Sequence, residues 1–508
     1  MKRESGILFP IFSLPSKFGI GCFDKEAYAF VDFLKQAGQR YWQVLPFGPT
    51  GFGDSPYQPF SAFAGNPYFI SLEGLIEEGL LTWDDCNSCD WGCDQEKVDY
   101  GAQYNSRYKM LKIAYTRFCE KGMDESDEFR LYKKKEAYWL KDYAAYMAIK
   151  EYFGGISWLD WEPDFKKRKP SIMAKVFEEH TDAIDFIVFQ QYKFDQQWSK
   201  LRKYANAQGV KIIGDIPFYV AMDSSDTWAH PEAFQFDEDL MLKSVAGCPP
   251  DAFSKTGQLW GNPIYDWEAR KADKYSWWTQ RIERTYELCD VIRIDHFHGF
   301  DSYYEIPYTD ETAENGTLKK GPGAEFFKVI AANMGVEKLD IIAEDLGTIT
   351  ESTEKLLKDS GFPGMQVLEY AFDWSESSYY LTYNHTRNSV VYTGTHDNTP
   401  VRAWLEDLSD HDRDFCRRFI NSNQYDLGGL TWDIIREAYR SPANLCIIPL
   451  QDYLVKGREA RMNEPGSFGT NWQWRLQPNF LSDDLARSIY GLAQLYGRLP
   501  KEEKKEKE

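Results

Sequence analysis

Residues 291–300 read Val-Ile-Arg-Ile-Asp-His-Phe-His-Gly-Phe. The first four are β-branched and apolar except for Arg293, a composition that predicts a short buried strand. Side chains alternate across a strand, so Arg293 and Asp295 lie on the same face. An arginine and an aspartate at a strand end, followed by two histidines and a glycine, suit a functional site. For this stretch taken alone, the alternative is a buried structural Arg–Asp pair.

Seven other strand-like runs occur along the chain, separated mostly by helix-like segments. With the first run, they cover residues 6–10, 41–46, 210–215, 291–295, 339–344, 365–370, 389–395 and 445–448. Strands that alternate with helices pair in parallel, and eight of them predict a (β/α)8 barrel. We therefore expect an α/β fold of the TIM-barrel type, in which residues 1–508 form a single barrel domain with inserted subdomains.

Two intervals between these strands are too long for single crossover helices. The first has charged helical patterns, and we interpret approximately residues 73–205 as a mostly helical insertion. In the second, residues 246–265 are rich in Gly and Pro. Such composition is typical of loops, so we expect approximately residues 218–285 to form a loop-rich lid over the barrel mouth. The alternating charges of residues 501–508 predict a disordered tail.

Composition narrows the range of partners. The 508 residues include 59 Lys and Arg against 79 Asp and Glu, and the formal net charge is -20. This balance argues against nucleic acid or an anionic membrane as a partner, and it favours an uncharged or cationic ligand. No signal peptide or membrane-spanning stretch is evident. The nine cysteines then predict reduced thiols in a cytoplasmic protein.

Acidic residues mark the ends of several predicted strands. In barrels of this type, catalytic groups lie at the carboxyl ends of the strands. Those positions hold Asp215, Asp295, Glu344 and Asp397. A single carboxylate at a strand end is more often the cap of the next helix. Three carboxylates on successive or nearly successive strands, two of them next to histidines, indicate a site.

Three carboxylates around one cavity suit chemistry at a glycosidic bond. One protonates the leaving oxygen, one is an ionised nucleophile, and the third holds sugar hydroxyls and helps to distort the ring. We expect Arg293 to keep Asp295 ionised. Crowding by other carboxylates is expected to raise the pKa of Glu344, as a general acid requires. His296 and His396 could donate hydrogen bonds to sugar hydroxyls.

Three other patterns carry less weight, and we expect neither a metal nor a cofactor. Cys86, Cys89 and Cys93 are closely spaced, but a zinc site needs a fourth ligand and only Cys119 is near. Free surface thiols are the better interpretation. No Asp-rich cage for calcium stands out. Gly51-Phe-Gly53 lacks the third glycine and the lysine of a nucleotide-binding loop.

Motifs along nearly the whole chain share the pattern of one family. They are Ser13-Leu-Pro-Ser-Lys-Phe-Gly-Ile-Gly21, Gly51-Phe-Gly-Asp-Ser-Pro-Tyr-Gln-Pro-Phe-Ser-Ala-Phe-Ala-Gly-Asn-Pro-Tyr68, Gly214-Asp-Ile-Pro-Phe-Tyr219, Gly257-Gln-Leu-Trp-Gly-Asn-Pro263, Arg293-Ile-Asp-His-Phe-His-Gly-Phe300, Ala343-Glu-Asp-Leu-Gly347, Gly394-Thr-His-Asp-Asn398 and Asn471-Trp-Gln-Trp-Arg475. In this order they resemble the amylomaltases, the 4-α-glucanotransferases of glycoside hydrolase family 77, also called disproportionating enzymes.

The resemblance implies a retaining transglycosylase related to the α-amylases, acting on a maltodextrin donor and acceptor. By motif, Asp295 matches the nucleophile, Glu344 the acid/base and Asp397 the carboxylate that binds and distorts the sugar. The residues that match substrate-binding or supporting positions are Arg293, His296, His396, Asp215, Tyr57, Trp260 and Asn398, with Trp260 on the lid. The family also lacks the separate C-terminal β-domain of most α-amylases, and we expect none here.

Two other functions stay open. An α-1,4-glucan hydrolase could use the same three carboxylates. Amylases, however, usually follow the nucleophile with a small residue and a lysine–histidine pair, whereas this chain has the amylomaltase version, His296-Phe-His-Gly299. A non-catalytic glucan-binding protein would usually have lost one of the three carboxylates, and all three are present.

Overall fold

The computed structural model describes residues 2–51, 53–250, 254–347, 350–372, 378–467 and 469–500. Its strands are β1 (Glu4–Leu8), β2 (Tyr41–Gln43), β3 (Lys211–Ile216), β4 (Ser244–Cys248), β5 (Gln258–Pro263), β6 (Val291–Ile294), β7 (Ser302–Pro307), β8 (Thr317–Lys320), β9 (Ile341–Ala343), β10 (Gly364–Val367), β11 (Ser389–Tyr392) and β12 (Leu445–Pro449). The tail predicted at 501–508 lies outside the described residues.

The α-helices lie before, between and after the strands along the chain. They are α1 (Lys25–Gln36), α2 (Leu72–Glu77), α3 (Trp83–Asn87), α4 (Tyr100–Glu120), α5 (Asp127–Lys135), α6 (Ala137–Tyr152), α7 (Pro163–Lys166), α8 (Pro170–Glu179), α9 (Thr181–Ala207), α10 (Ser225–Ala229), α11 (Trp267–Ala272), α12 (Ser276–Leu288), α13 (Ala324–Asn333), α14 (Glu351–Ser360), α15 (Val401–Asp407), α16 (Asp410–Phe419), α17 (Leu427–Arg440), α18 (Leu450–Tyr453) and α19 (Asp483–Leu495). Within the described residues, no helix is both long and apolar enough to cross a membrane.

Eight of the strands form one parallel sheet in the order β10-β11-β12-β1-β2-β3-β6-β9. The two outer strands of this order meet where the Ala343 backbone N–H, at the end of β9, donates to the carbonyl oxygen of Pro363 just before β10, at 2.9 Å. The sheet therefore curls into a barrel, and the predicted (β/α)8 fold is confirmed. Each barrel strand overlaps one of the eight predicted runs.

Close packing inside the barrel explains a glycine in β1. A Cβ atom at Gly6 would lie 2.5 Å from the Tyr41 carbonyl oxygen of β2 and 2.8 Å from Cδ1 of Ile447 in β12. Both neighbouring strands thus occupy the space of a side chain at this position. Buried β-branched residues fill much of the remaining interior, which suits strands that are covered on both faces.

Helices α2 to α9 occupy the interval in which a helical insertion was predicted. The last of them, α9, holds the chain before α2 through two glutamines. Gln191 exchanges hydrogen bonds with the backbone N–H and C=O of Gly65, at 2.7 and 2.8 Å. Gln197 does the same with the backbone of Ser71, at 2.6 and 3.2 Å. Each of these two glutamine side chains therefore pairs with a backbone N–H and C=O, as the backbone of a neighbouring strand would.

A second sheet stands where a loop-rich lid was expected. It is antiparallel, with the order β5-β4-β7-β8. Strands β4 and β5 come from residues 246–265 and their surroundings, whereas β7 and β8 follow β6 in the chain. The Gly and Pro content favoured a loop, but the partner strand β7 is distant in sequence and supplies the hydrogen bonds that stabilise a strand. Residues 251–253 of this segment lie outside the described residues.

After β12, the described residues up to Pro500 form helices and loops, with no further strand. Helix α19 leads into Arg498, a fully buried arginine below the amino ends of the barrel strands. Its guanidinium donates to the backbone carbonyl oxygens of Tyr439 (3.0 Å), Glu4 (3.2 Å), Asn444 (3.3 Å) and Ser441 (2.9 Å). It thereby links the start of β1 to the residue before β12.

We predict that Arg498→Met lowers the free energy of unfolding by about 2–4 kcal/mol, because four carbonyl groups each lose one buried charged donor. Arg3 still donates to the carbonyl oxygens of Tyr439 and Ser441, which limits the loss. Denaturant-induced unfolding measures this effect. The matched control is Arg487→Met on α19, the helix before Arg498, since the Arg487 side chain is 67% exposed and its loss should change stability little. An equal effect of the two substitutions would contradict the structural role of Arg498.

Candidate active site

The four acidic residues marked in the sequence lie at the carboxyl ends of barrel strands. Asp215 lies in β3, and Asp295 and Glu344 directly follow β6 and β9. These three strands are neighbours, with Asp215 paired to Arg293 and Ile294 paired to Ala343. Asp397 lies in the turn after β11. Topology alone therefore brings Asp215, Asp295 and Glu344 to one side of the barrel mouth.

Arg293 connects two of these carboxylates. Its Nη1 donates to both oxygens of Asp215, at 2.8 and 2.7 Å, and to Oδ1 of Asp295 at 3.0 Å. The side chain of Asp215 has 0% exposure, whereas that of Asp295 has 29%. Asp215, which the resemblance assigns to a substrate-side position, is fully buried in this structure. It anchors Arg293 and accepts a hydrogen bond from the Tyr57 hydroxyl at 2.8 Å.

Glu344 is held by two backbone amides. The N–H of His296 donates to its Oε2 at 2.7 Å, and the N–H of Leu346 donates to its Oε1 at 2.8 Å. Burial, followed by the charge of Asp295, raises the pKa of Glu344 to about 7, against the opposing effect of Arg293 and the two amides. The predicted direction agrees with this shift, but the main cause differs. Loss of water outweighs crowding by other carboxylates.

His296 has a left-handed backbone conformation, with φ 53° and ψ 47°. This conformation is strained for a residue with a side chain. Here it directs the backbone N–H of His296 toward the carboxylate of Glu344. Burial lowers the pKa of His296 to about 4, so its ring is neutral near pH 7. The ring of Trp260, from β5, contacts it edge-on with 5.0 Å between centroids. The second sheet therefore reaches the site through Trp260, which is 36% exposed.

Asp397 is fixed from two sides. Asn463 Nδ2 donates to Asp397 Oδ1 at 2.6 Å, and His396 Nε2 lies 3.3 Å from Oδ2. The other ring nitrogen of His396 lies 3.4 Å from the Tyr57 hydroxyl, and the two rings stack with 4.9 Å between centroids. His396 is buried. Both ring nitrogens therefore lie next to protein groups, the Asp397 carboxylate and the Tyr57 hydroxyl.

Asn398 closes the turn that carries these two residues. Its Oδ1 accepts hydrogen bonds from the backbone N–H and the hydroxyl of Thr395, both at 2.9 Å. Its Nδ2 donates to the hydroxyl of Tyr370 at 3.1 Å. The predicted site residues around Arg293, Glu344 and Asp397 are therefore brought together, with Asn398 partly in a structural role.

Sequence reasoning missed two residues that hold Asp397. Asn463 contacts its carboxylate, and Arg461 Nη2 lies 3.3 Å from its backbone oxygen. Both belong to the segment after β12, the last barrel strand. Neither residue is acidic, and both lie well past the end of β12, so the position of a strand end does not mark them.

Within the described residues, no group of three or more His, Cys, Asp or Glu side chains could hold a metal ion. The three closely spaced cysteines differ in exposure: Cys86 is buried, Cys89 is half-buried and Cys93 is exposed. The interpretation as surface thiols is therefore wrong for Cys86. This residue belongs to the hydrophobic core, because the short helix α3 turns it inward.

A (β/α)8 barrel whose mouth holds an arginine-bound aspartate, a glutamate with a raised pKa and a third carboxylate has the features of an enzyme that acts on glycosidic bonds. The chain belongs to the 4-alpha-glucanotransferase family, glycoside hydrolase family 77, whose model matches residues 9–482.

Relatives of nearly equal length support this assignment. A 4-alpha-glucanotransferase of Clostridium butyricum is 46% identical over 96% of this chain and 99% of its own. Another, of Thermus thermophilus, is 42% identical over 98% of this chain and 100% of its own. Among solved structures, an amylomaltase from Streptococcus agalactiae in complex with acarbose is similar with a TM-score of 0.94 and 38% identity, covering 98% of this chain and 100% of that one.

We predict that Asn463→Asp reduces turnover of maltotriose more than Asn463→Ala does. Alanine removes the hydrogen bond to Asp397, whereas aspartate places a second carboxylate at 2.6 Å from it in the wild-type geometry. The defect of the aspartate variant should diminish as the pH falls and one carboxylate becomes protonated. Initial rates between about pH 5 and pH 7 measure this. Equal, pH-independent losses in both variants would contradict the role of Asn463.

Proposed function

We propose that this protein transfers segments of α-1,4-glucan from one maltodextrin to another by a retaining double displacement. The observation that carries the proposal is the difference between the two aspartates on Arg293. Both are ion-paired, but only Asp295 is exposed to the cavity, directly beside a glutamate whose pKa is raised to about 7. An ionised nucleophile next to a protonated acid is the pair that retaining enzymes require.

In the first displacement, Asp295 attacks the anomeric carbon of the donor. Arg293 holds Oδ1, so Oδ2 is the oxygen that forms the bond. Glu344 gives its proton to the departing glycosidic oxygen, and the released part of the chain leaves with a free 4-hydroxyl group. The product is a covalent β-glucosyl ester of Asp295.

In the second displacement, the acceptor glucan replaces the released chain. Glu344, now ionised, removes the proton from the acceptor 4-hydroxyl, whose oxygen attacks the anomeric carbon from the same side as the first leaving group. The ester bond to Asp295 breaks and its carboxylate returns to Arg293. Two inversions give net retention, and Glu344 ends the cycle protonated.

Asp397 supplies the third function. Its carboxylate is half-exposed and fixed by Asn463 and His396, which suits hydrogen bonds to sugar hydroxyls that strengthen as the ring distorts. The stacked pair of Tyr57 and His396 supports it from behind. Fixed acceptors that need not reorganise during the reaction lower its barrier.

Transfer exceeds hydrolysis only if the acceptor is held while water is excluded. The second sheet suits this task, because Trp260 extends from β5 to contact the His296 ring and remains 36% exposed, so that its ring is available for contact with a sugar. The amylomaltase of Streptococcus agalactiae was solved with acarbose, which supports an oligosaccharide as donor and acceptor here.

We also propose that the protein works in the cytoplasm. All nine cysteines lie among the described residues, and no disulfide bond links them. Thiols in this number suit a reducing compartment. The net charge of -20 further supports a neutral glucan, rather than a nucleic acid, as partner.

For the reaction itself, we predict that the wild-type protein converts maltotriose into glucose and a ladder of longer maltodextrins. Asp295→Asn removes the nucleophile and should lower this activity by about 10⁴-fold or more. Chromatography of the products measures both. The matched control is Asp127→Asn, a change of the same kind at a side chain that is 97% exposed. Glucose and maltose without longer products would indicate a hydrolase. Unchanged activity of Asp295→Asn would exclude Asp295 as the nucleophile.

The pKa of Glu344 gives a second prediction. The first displacement needs the protonated acid, so kcat/KM for a maltodextrin donor should fall roughly tenfold per pH unit above about pH 7. Glu344→Gln should lose nearly all activity on maltodextrins. With α-maltosyl fluoride, whose leaving group needs no proton, the alkaline fall should disappear and the variant should still release fluoride. An alkaline fall of equal size with both donors would contradict the role of Glu344.

A further inference from the structure

A fifth acidic residue, which the proposed mechanism does not use, lies at the barrel mouth. Glu369 follows the end of β10, and its backbone N–H donates to the carbonyl oxygen of Thr393 at 3.2 Å. Thr393 directly follows β11. Glu369 therefore lies at the level of the turn 394–398, which carries His396 and Asp397.

The side chain of Glu369 packs directly against this turn. A Cβ atom placed on Gly394 would lie 2.9 Å from Glu369 Oε1 and 3.0 Å from Cβ of Asn398. The Glu369 carboxyl group thus occupies the space that a side chain at position 394 would need. Asn398, the other wall of this contact, is the residue that closes the turn onto Thr395.

One oxygen of the carboxyl group lacks a hydrogen-bond partner. Among the described residues, Oε1 of Glu369 and Oε1 of Gln451 are both buried without one. Gln451 lines a cavity of about 10 Å³ together with Gly394, Asn398 and Asp452. A protonated Glu369 would bring a donor to this region, whereas an ionised one would add a second buried charge beside Asp452.

The electrostatic surroundings agree with the protonated form. Burial, followed by the charge of Asp452, raises the pKa of Glu369 well above its usual value. Arg461 and the amide of Asn398 oppose this effect but do not reverse it. Tyr370, the next residue along the chain, is also titratable, and burial raises its pKa.

We propose that Glu369 is a positioning residue for Asp397, because its carboxyl group packs against Gly394 and Asn398 and thereby fixes the turn 394–398. It does not contact the substrate. It acts through the backbone of the turn, because a shift of Gly394 or Asn398 moves Asp397 relative to the sugar that this carboxylate distorts. This role rests on the proposed function of Asp397 in transfer.

The test compares Glu369→Gln and Glu369→Ala in the full-length protein, with maltotriose as donor and acceptor. Glutamine keeps the shape, the neutral state and a donor, so kcat should stay within about threefold of wild type. Alanine leaves the turn unsupported, and kcat should fall about 10- to 100-fold with little change in KM, because Asp397 acts mainly in the transition state. The matched control is Glu354→Ala, at an exposed position on α14, which should leave kcat unchanged.

The outcomes separate this role from others. A purely structural role would lower the unfolding temperature of Glu369→Ala without this selective loss of kcat, and would overturn the proposal. The proposal would also be overturned if the kcat of Glu369→Ala stayed within about twofold of the wild-type value, or if Glu369→Gln lost as much kcat as Glu369→Ala.

If Glu369→Ala does not fold, the Gly394→Ala variant tests the same contact, since its methyl group would displace the Glu369 carboxyl group. A roughly tenfold fall in kcat supports the proposal, and no fall overturns it. A wild-type protein without transfer would instead overturn the proposed function, and this role with it.

Discussion

The site depends on one buried cation. Arg293 is almost completely enclosed, and it holds two aspartates, Asp215 at 2.8 and 2.7 Å and Asp295 at 3.0 Å. Removing Arg293 would leave two neighbouring carboxylates without their cation in a region of low dielectric constant, which is far more costly than the ion pairs themselves are stabilising. The arrangement therefore allows few alternatives, and it ties β3 to β6 at the level where the chemistry takes place.

The consequences of this interaction extend to Glu344. Because Arg293 keeps the charge of Asp295 in place, that charge acts on the neighbouring glutamate and, after burial, is the next largest cause of its raised pKa. The left-handed conformation of His296 lets the chain turn directly after Asp295 and donate its N–H to Glu344. One short segment thus supplies the proposed nucleophile Asp295, the arginine that orients it and an amide that orients Glu344, the proposed acid. This concentration of roles explains why the sequence around residue 293 is the most informative part of the chain.

Much of the barrel and most of the site could be predicted from the sequence because the signals are local. Residues 389–395, with an apolar centre and with His396 and Asp397 directly after them, mark both a strand and its functional end. Other features depend on contacts between distant parts of the chain. Strand β4 is stabilised by β7, about 60 residues further along the chain, and Asn463 reaches Asp397 only after the barrel has closed. Burial is equally non-local: nothing in the motif around Asp215 shows that Tyr57 and Arg293 enclose it.

The parallel barrel and the antiparallel sheet contribute different residues to the site. The parallel barrel fixes Asp295, Glu344 and Asp397 on separate strand ends, and its closure at Ala343 and Pro363 sets their mutual geometry. The antiparallel sheet contributes Trp260, which contacts the site at the edge of the His296 ring. The backbone N–H of His296 also donates to Glu344, so the two sheets meet at a residue that orients this carboxyl group. Because rate depends on the carboxylate geometry and selection of the acceptor depends on the surface around it, a change in the antiparallel sheet near Trp260 is expected to affect both properties.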